Sequence, residues 1–208
     1  MTDSSQPIAE FWRSFQDCAA ALASAESAEH PAHEALLEKL HAIHPGLYLE
    51  FCIDPGGCEL IVTADGNRAL FPLAHAIVDR APAISGWTMK PLKPKFGFPN
   101  TVSWDDLTIV TDHVVFDPIE REGSDELGLR IFVPGLKKSE ADKAYNAILR
   151  ALDHGLGEEK LAEAVHHTEV LPLPQDVVAT DFIPLVELEN FIRWRDEKRK
   201  ATEGHTDA

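Results

Sequence analysis

The sequence has no long apolar run and no segment of a targeting type. No stretch approaches the ~20 consecutive apolar residues of a membrane-spanning helix. The first residues, Met1 to Gln6, have neither the basic region nor the apolar core of a secretory signal peptide. We therefore expect a protein of the cytoplasm.

Cysteine is scarce. Only Cys18, Cys52 and Cys58 are present, and no two of them have the CxxC spacing. An odd number without such a pair gives no support to a disulfide framework or to a cysteine-bound zinc ion. Cys52 and Cys58 flank a predicted turn at residues 54–57. A four-residue turn pairs Ile53 with Cys58 and leaves Cys52 one position out of register, so we expect reduced, partly buried thiols.

Positive charge is also in short supply. The 208 residues include 19 Lys and Arg against 35 Asp and Glu, which gives a formal charge of −16. A negative field of this size repels phosphate backbones and anionic lipids, which argues against nucleic-acid and membrane partners. It favours a basic partner if the protein has one. An acidic composition is also common among bacterial cytosolic proteins, and that ordinary explanation stays open.

The motifs of several enzyme and cofactor-binding classes are missing. The sequence contains no GxSxG nucleophile elbow, no Walker loop and no GxGxxG fingerprint. Ten histidines are present, but none belongs to an HExxH motif. His166 and His167 are neighbours on a predicted strand, where adjacent side chains point to opposite faces. We predict no cofactor and no metal site.

The chain is organised around residues 47–87. The run from Leu47 to Ile53 alternates apolar and polar residues, which is typical of a half-buried strand. A turn and the β-branched run from Glu59 to Thr63 follow, so these two strands are predicted to form a hairpin. Apolar residues at helical spacing come next, and then a strand that contains Trp87. This order predicts one βαβ unit with a parallel pair of strands.

Elsewhere hairpins outnumber crossovers, and this is the only βαβ unit that we predict. The pattern indicates an α+β protein with a mixed, mainly antiparallel sheet and helices packed on one face. One strand is predicted to end at Asp117-Pro118. Gly155 to Glu159 is interpreted as a connector or a short helical turn. A last strand is predicted over Ala164–Leu173 and a last helix over Asp181–Lys198.

The most unusual local feature is a basic, proline-rich segment that begins near Trp87. Three lysines occur there beside aromatic residues, in an otherwise acidic chain. Positive charge with aromatic area suits a small anion or a peptide. The candidate binding residues are Trp87, Lys90, Lys93, Lys95 and Phe96. The other interpretation is a connecting loop braced by prolines, with its rings packed on the core and its lysines in water.

Several short landmarks occur in a familiar order. They are Phe11-Trp12, Ile61 to Gly66, Ala81-Pro82, Trp87, Lys93-Pro94-Lys95, Leu152-Asp153-His154, Leu156-Gly157-Glu158 and Leu171 to Pro174. Together the landmarks resemble an uncharacterised family of bacterial cytosolic proteins, a domain of unknown function, over roughly residues 8–175. The resemblance implies one globular domain in a bacterium and supplies no catalytic residue. We expect a single α+β domain over 7–198, with flexible termini at 1–6 and 199–208.

Two hypotheses of function follow. The first is a non-catalytic soluble binding or interaction protein of the bacterial cytosol, with an unidentified protein or a small anion as its partner. The second is a small hydrolase-type enzyme that uses nearby carboxylates with some of His75, His113, His166 and His167. The second hypothesis requires these side chains to meet in a cleft. The sequence does not indicate an oligomeric state.

Overall fold

A computed structural model describes residues 5–24, 31–54, 56–121, 124–174 and 181–203. The chain divides into two units, one up to Pro94 and the other from Lys95. The extent of the predicted single domain stays a prediction. The first helix begins at Ser5 and the last ends at Glu203, and residues 1–4 and 204–208 of the predicted flexible termini lie outside the described residues. Across the ranges that the structure describes, no helix combines the length and the apolar character needed to cross a membrane.

The first unit contains three α-helices and a three-stranded sheet in its described part. In chain order they are α1 (Ser5–Ala23), α2 (Pro31–His41), β1 (Tyr48–Asp54), β2 (Gly57–Thr63), α3 (Phe71–Val78) and β3 (Trp87–Pro91). The sheet order is β1-β2-β3. β2 and β3 are parallel neighbours joined through α3, so the predicted βαβ unit is confirmed.

The β1–β2 hairpin has the predicted register. Ile53 pairs with Cys58 and Cys52 pairs with Glu59, so the two cysteines are one position out of register across the hairpin. All three thiols of the chain are free. Asp54 pairs with Gly57 across the turn; Pro55, which belongs to the predicted turn, lies outside the described residues.

One face of this sheet is covered by helices. Phe51 and Trp87 lie on that face. The ring of Phe15 in α1 meets Trp87 edge-on at 4.9 Å between centroids, and His33 of α2 stacks on Phe51 at 4.3 Å. Polar groups of the buried rings are also satisfied, since Trp12 donates from Nε1 to the Ile77 carbonyl at 2.9 Å. Helices on one face of a sheet are what the sequence predicted.

The second unit contains three α-helices and two sheets in its described part. Its elements are β4 (Thr101–Trp104), β5 (Leu107–Val110), β6 (Val115–Glu120), β7 (Leu127–Val133), α4 (Ala141–Leu156), α5 (Glu158–Ala164), β8 (His167–Pro172), β9 (Ile183–Pro184) and α6 (Leu188–Glu203). β4 and β5 form a hairpin, and the other strands form a sheet in the order β8-β7-β6-β9. Four of the six described strand pairings are antiparallel. The α+β class with mainly antiparallel pairing is therefore confirmed.

Two boundary predictions were wrong at prolines. β6 does not end at Asp117-Pro118 but continues to Glu120. Within the described chain, β6 beyond Phe116 pairs only with β7, and a proline is tolerated where one edge of a strand is unpaired, because no ladder bond needs its missing N–H. The last helix begins at Leu188 instead of Asp181. The short strand Ile183–Pro184 precedes it, since the residue before a proline avoids helical geometry.

A second parallel pair was not predicted. β7 and β8 run parallel, with α4 and α5 between them in the chain. The predicted strand over Ala164–Leu173 corresponds to β8 at His167–Pro172, and its first residue, Ala164, belongs to α5 instead. The prediction of only one βαβ unit was therefore wrong.

The core of the second unit lies on one face of the four-stranded sheet. Alternate residues of β7, including Leu129 and Ile131, pack with Ile148 and Leu152 of α4 and with Ile192 of α6. The opposite face is charged. Arg130 lies between its cross-strand neighbours there, 3.7 Å from a carboxylate oxygen of Asp117 and 3.1 Å from one of Glu169.

Candidate functional site

The five candidate residues are divided between the two units. Trp87 is in the first unit and is only 9% exposed. Its Nε1 donates to the carbonyl of Ala19 at 3.2 Å, which ties β3 to α1. A cavity of about 470 Å³ lies beside Trp87 and the hairpin residues Asp54 and Gly57. The ring itself is a structural part of the first unit, as the alternative interpretation of this segment proposed for its aromatic residues.

Lys90 and Lys93 also lie in the first unit, and both have acidic neighbours. The Lys90 ammonium is 2.6 Å from a carboxylate oxygen of Glu59. The Lys93 ammonium is 3.3 Å from Asp65 and 3.8 Å from Glu50. These two lysines therefore face carboxylates of their own unit, and the charge that an anion would require is already balanced within the protein.

Lys95 and Phe96 begin the second unit. The Lys95 ammonium is 2.5 Å from Glu189 at the start of α6. Phe96 is 55% exposed, whereas Trp87, the other aromatic candidate, is buried. Its ring lies 5.4 Å from the imidazole of His154, tilted by 40°. A large apolar side chain is therefore presented to solvent at this point of the second unit.

The loop that carries Phe96 is fixed to α4. The amides of Phe96 and Gly97 both donate to the carbonyl of His154, at 2.9 and 3.0 Å. The ring of Phe98 packs directly against Gly155. We call residues 95–98 the Phe96 loop. Its two backbone hydrogen bonds and its packed ring hold the exposed aromatic in one place before any partner arrives.

The other end of this segment is held as well. The amide of Thr111 donates to the carbonyl of Asn100 at 3.0 Å, and the Thr111 hydroxyl donates to the carbonyl of Pro99. Thr111 itself is fully buried. The segment is thus fixed on each side of Phe98.

A cavity of about 340 Å³ lies elsewhere in the second unit, between α5, α6 and the start of β7. Its apolar walls are Leu127, Ala164 and Ile192. Its carboxylates are Asp125, Glu159, Glu163 and Asp196. The volume is at the lower end of the ~300–1,000 Å³ range of small-molecule sites, so the cavity is large enough for a small ligand.

Each cation at the cavity has an acidic neighbour. Arg195 is 8% exposed and donates from Nε to Glu120 at 2.8 Å. Its Nη2 donates to the backbone carbonyls of Asp125 and Glu126, at 3.2 and 3.4 Å. Arg199 lies 2.5 Å from the Asp125 carboxylate. Lys160 lies 3.8 Å from Glu189. The positive charge of the walls is therefore used to hold the cavity together.

His166 borders the same cavity. It exchanges two hydrogen bonds with Leu127: its amide donates to the Leu127 carbonyl at 2.8 Å, and its Nδ1 accepts from the Leu127 amide at 3.4 Å. An imidazole that accepts at Nδ1 has its proton on Nε2 in the neutral form. The neutral ring is then left with a donor, not a lone pair, on its second nitrogen.

An ion-pair chain connects the Phe96 loop with the cavity. Lys95 and Lys160 both approach Glu189, and Lys160 is one of the cavity walls. The hydrogen bond from Lys95 lowers the pKa of Glu189 below its ordinary value, and the charges of Lys95 and Lys160 act in the same direction. The loop and the cavity are thus two parts of one surface of the second unit.

The structure does not bring the four histidines of the hydrolase hypothesis together. His75 is in α3 of the first unit, His113 is in a 3-10 turn after β5, and His167 lies at the exposed start of β8. His167 is 3.3 Å from Glu169. Of these four histidines, His166 is the one that borders the cavity. Among the described residues, no group of three or more His, Cys, Asp or Glu side chains has a metal-binding arrangement.

No family model matches the chain, and no curated protein matches it significantly. The resemblance in the order of the landmarks therefore stays a prediction. The cavity had not been predicted. Its walls come from separate parts of the chain between residues 125 and 199, and the spacing of these residues follows no ligand motif that a sequence would reveal.

Proposed function

We propose that this chain is a non-catalytic binding protein of the bacterial cytosol, and that it binds a protein partner through the second unit. The single observation that carries the proposal is Phe96, which is 55% exposed on a loop fixed by hydrogen bonds to His154. Aromatic side chains dominate the energy of protein interfaces. A loop whose backbone is already held in place loses little conformational entropy on binding.

A basic protein is favoured over a small anion as the partner. Lys90, Lys93 and Lys95 lie against carboxylates of their own units, so an anion would have to displace those carboxylates. The chain has a formal charge of −16, and opposite charge steers a partner towards it. Both points support a partner with positive charge and an apolar pocket for Phe96.

Within the described part of the chain, the cavity that His166 borders is the location at which we weigh the hydrolase alternative. Glu159, Glu163 and Asp196 line that cavity with it. A general base needs a free lone pair, whereas the Nδ1 lone pair of His166 accepts from the Leu127 amide. The neutral ring therefore offers an N–H group, which suits a role in binding better than one in proton abstraction.

The proposal is tested by affinity capture with the full chain as bait. The baits are the wild type, Phe96→Ala, and Trp194→Ala as a matched control, because Trp194 is another aromatic of the second unit and is 53% exposed. We expect the wild type and Trp194→Ala to retain a partner equally well. Phe96→Ala should lower the affinity for that partner at least about tenfold, which corresponds to ~1.4 kcal/mol. Elution by salt should follow if the partner is basic. Equal retention by all three baits would refute the proposed contact.

A further inference from the structure

The charge of the 340 Å³ cavity in the second unit is unevenly balanced. Its arginines and its lysine lie against Glu120, Asp125 and Glu189. Glu163 of α5 and Asp196 of α6 are exposed, and neither carboxylate has an ion pair or hydrogen bond with another residue that the structure describes. The cavity therefore presents uncompensated negative charge from two different helices.

The walls also provide apolar contact. Leu127, Ala164 and Ile192 line the cavity between these carboxylates. An arginine or lysine side chain has an apolar stem and a cationic head, so it buries the stem and leaves the head at the polar rim. The buried Arg195 donates hydrogen bonds to Glu120 and to two backbone carbonyls, and these bonds fix α6 as one wall. The cavity therefore exists before a ligand enters.

The position of the cavity is equally informative. Glu189 lies between Lys95 of the Phe96 loop and Lys160 of the cavity wall. A partner in contact with Phe96 is thus adjacent to the cavity along the same surface of the second unit. The apolar contact at Phe96 suits a partner with a pocket for an aromatic ring. The charged contact at the cavity suits a partner with a basic segment next to that pocket.

We propose that this cavity receives a basic side chain, arginine or lysine, of the protein partner, with Glu163 and Asp196 as the groups that bind its cationic head. This inference rests on the proposed function and names the chemistry of the partner. Lys160, Arg195 and Arg199 also line the cavity, but each of them lies against a carboxylate of the protein, and none of them attracts a cation. Selectivity for a basic side chain therefore comes from the two carboxylates.

The test uses four capped tripeptides and the full chain. Acetyl-Gly-Arg-Gly-amide and acetyl-Gly-Lys-Gly-amide carry the cation. Their matched controls replace arginine by citrulline and lysine by Nε-acetyl-lysine, which keep the stem and remove the charge. Binding is followed by NMR through the amide signals of α5 and α6 and the imidazole signals of His166. We expect at least one cationic peptide to shift these signals, and its neutral counterpart to leave them in place.

Substitutions test whether Glu163 and Asp196 are the carboxylates that bind the cation. Glu163→Gln and Asp196→Asn should each weaken binding of the cationic peptide by up to about fivefold, the range expected for an exposed ion pair. Glu197→Gln is the matched control, because Glu197 is exposed on the same helix and does not border the cavity. Unchanged amide spectra of the free variants establish that each one is folded.

Several outcomes would overturn the inference. They are equal shifts from charged and neutral peptides, an effect of Glu197→Gln as large as that of Asp196→Asn, or no shift with either cationic peptide. If partner capture still depends on Phe96 in such a case, only the cavity assignment fails. If the cationic peptides bind as expected but capture does not depend on Phe96, the proposed contact at the Phe96 loop fails and the cavity assignment stands.

Discussion

The ring of Phe98 occupies the space that a side chain on Gly155 would need: a Cβ built on Gly155 would overlap the ring. Gly155 is inside α4, where glycine costs ~1 kcal/mol relative to alanine. The glycine is therefore explained by packing, since it allows the Phe96 loop to lie directly on the helix. This contact and the two hydrogen bonds to His154 hold the exposed Phe96 in place.

Replacing Gly155 by alanine should destabilise the protein even though alanine favours the helix. We expect a loss of about 1–3 kcal/mol, the usual cost of overpacking a well-filled site, measured as a lower urea midpoint with an unchanged slope. In a Phe98→Ala background the overlap is removed, so Gly155→Ala should become neutral or stabilising by up to ~1 kcal/mol. If the two substitutions were additive, the contact would not be the reason for the glycine.

The local part of the fold was accessible from the sequence. The predicted half-buried strand over Leu47–Ile53 corresponds to β1 at Tyr48–Asp54, and the β-branched run Glu59–Thr63 lies within β2. The pairing of Ile53 with Cys58 was also predicted correctly. Each of these depends on side-chain alternation or on turn length, which are properties of neighbouring residues.

The non-local part of the fold was not accessible. The parallel pairing of β7 with β8 depends on α5, whereas the sequence pattern at Gly155 to Glu159 predicts a connector or a short helical turn. In the structure Gly155 lies within α4, and Gly157, with φ 79°, separates α4 from α5. A glycine required by the Phe98 ring and a glycine required by the backbone are identical in a sequence.

The candidate site shows the same division. The sequence directed attention to the segment with Phe96 because lysines and aromatic residues occur together there, but it could not indicate that these lysines have acidic neighbours. Lys95 pairs with Glu189, which is 94 residues away in the chain. Such partners are determined by tertiary packing. The role of the five candidates in binding stays a prediction, and Phe96 is the candidate that the proposed function uses.

Arg195 should be intolerant of lysine. Its guanidinium binds Glu120 and the carbonyls of Asp125 and Glu126, and a lysine ammonium cannot reproduce this fork of donors. We expect Arg195→Lys to lower the free energy of unfolding by about 1–3 kcal/mol, typical of hydrogen bonds to charged groups. Arg193→Lys is the control, because Arg193 is exposed on the same helix and a surface change costs less than about 0.5 kcal/mol. Similar losses for both variants would contradict a stabilising role of the Arg195 hydrogen bonds.

Glu189 should titrate at a lower pH than an ordinary glutamate. The hydrogen bond from Lys95 lowers its pKa below 4.5. The stabilisation from this ion pair is therefore present above about pH 4.5 and is lost as the pH falls through the pKa of the folded state. We expect the NMR titration midpoint of the Glu189 carboxyl to rise in Lys95→Gln, and to rise less in Lys160→Gln, since Lys160 acts through charge alone. A larger effect of Lys160→Gln would reverse this order of causes.

Cys52 should be a slow nucleophile that Glu59 helps to suppress. Burial raises the pKa of the Cys52 thiol above its ordinary value, and the neighbouring carboxylates of Glu59 and Glu50 raise it further. Because the thiolate is the reactive form, alkylation by iodoacetamide should be slow near neutral pH and increase towards alkaline pH.

The substitution Glu59→Gln removes one carboxylate and leaves Lys90, whose charge lowers the same pKa. We therefore expect faster alkylation of Cys52 at a fixed pH of about 8, below the range in which an ordinary thiol is fully ionised. Cys18 is the internal control. Burial also raises the pKa of its thiol, but the largest charge contribution to it comes from Asp17 rather than from Glu59. Mass spectrometry of the alkylated peptides separates the two sites, and an equal acceleration at Cys18 would show that Glu59→Gln had loosened the fold instead of changing the electrostatics of β1.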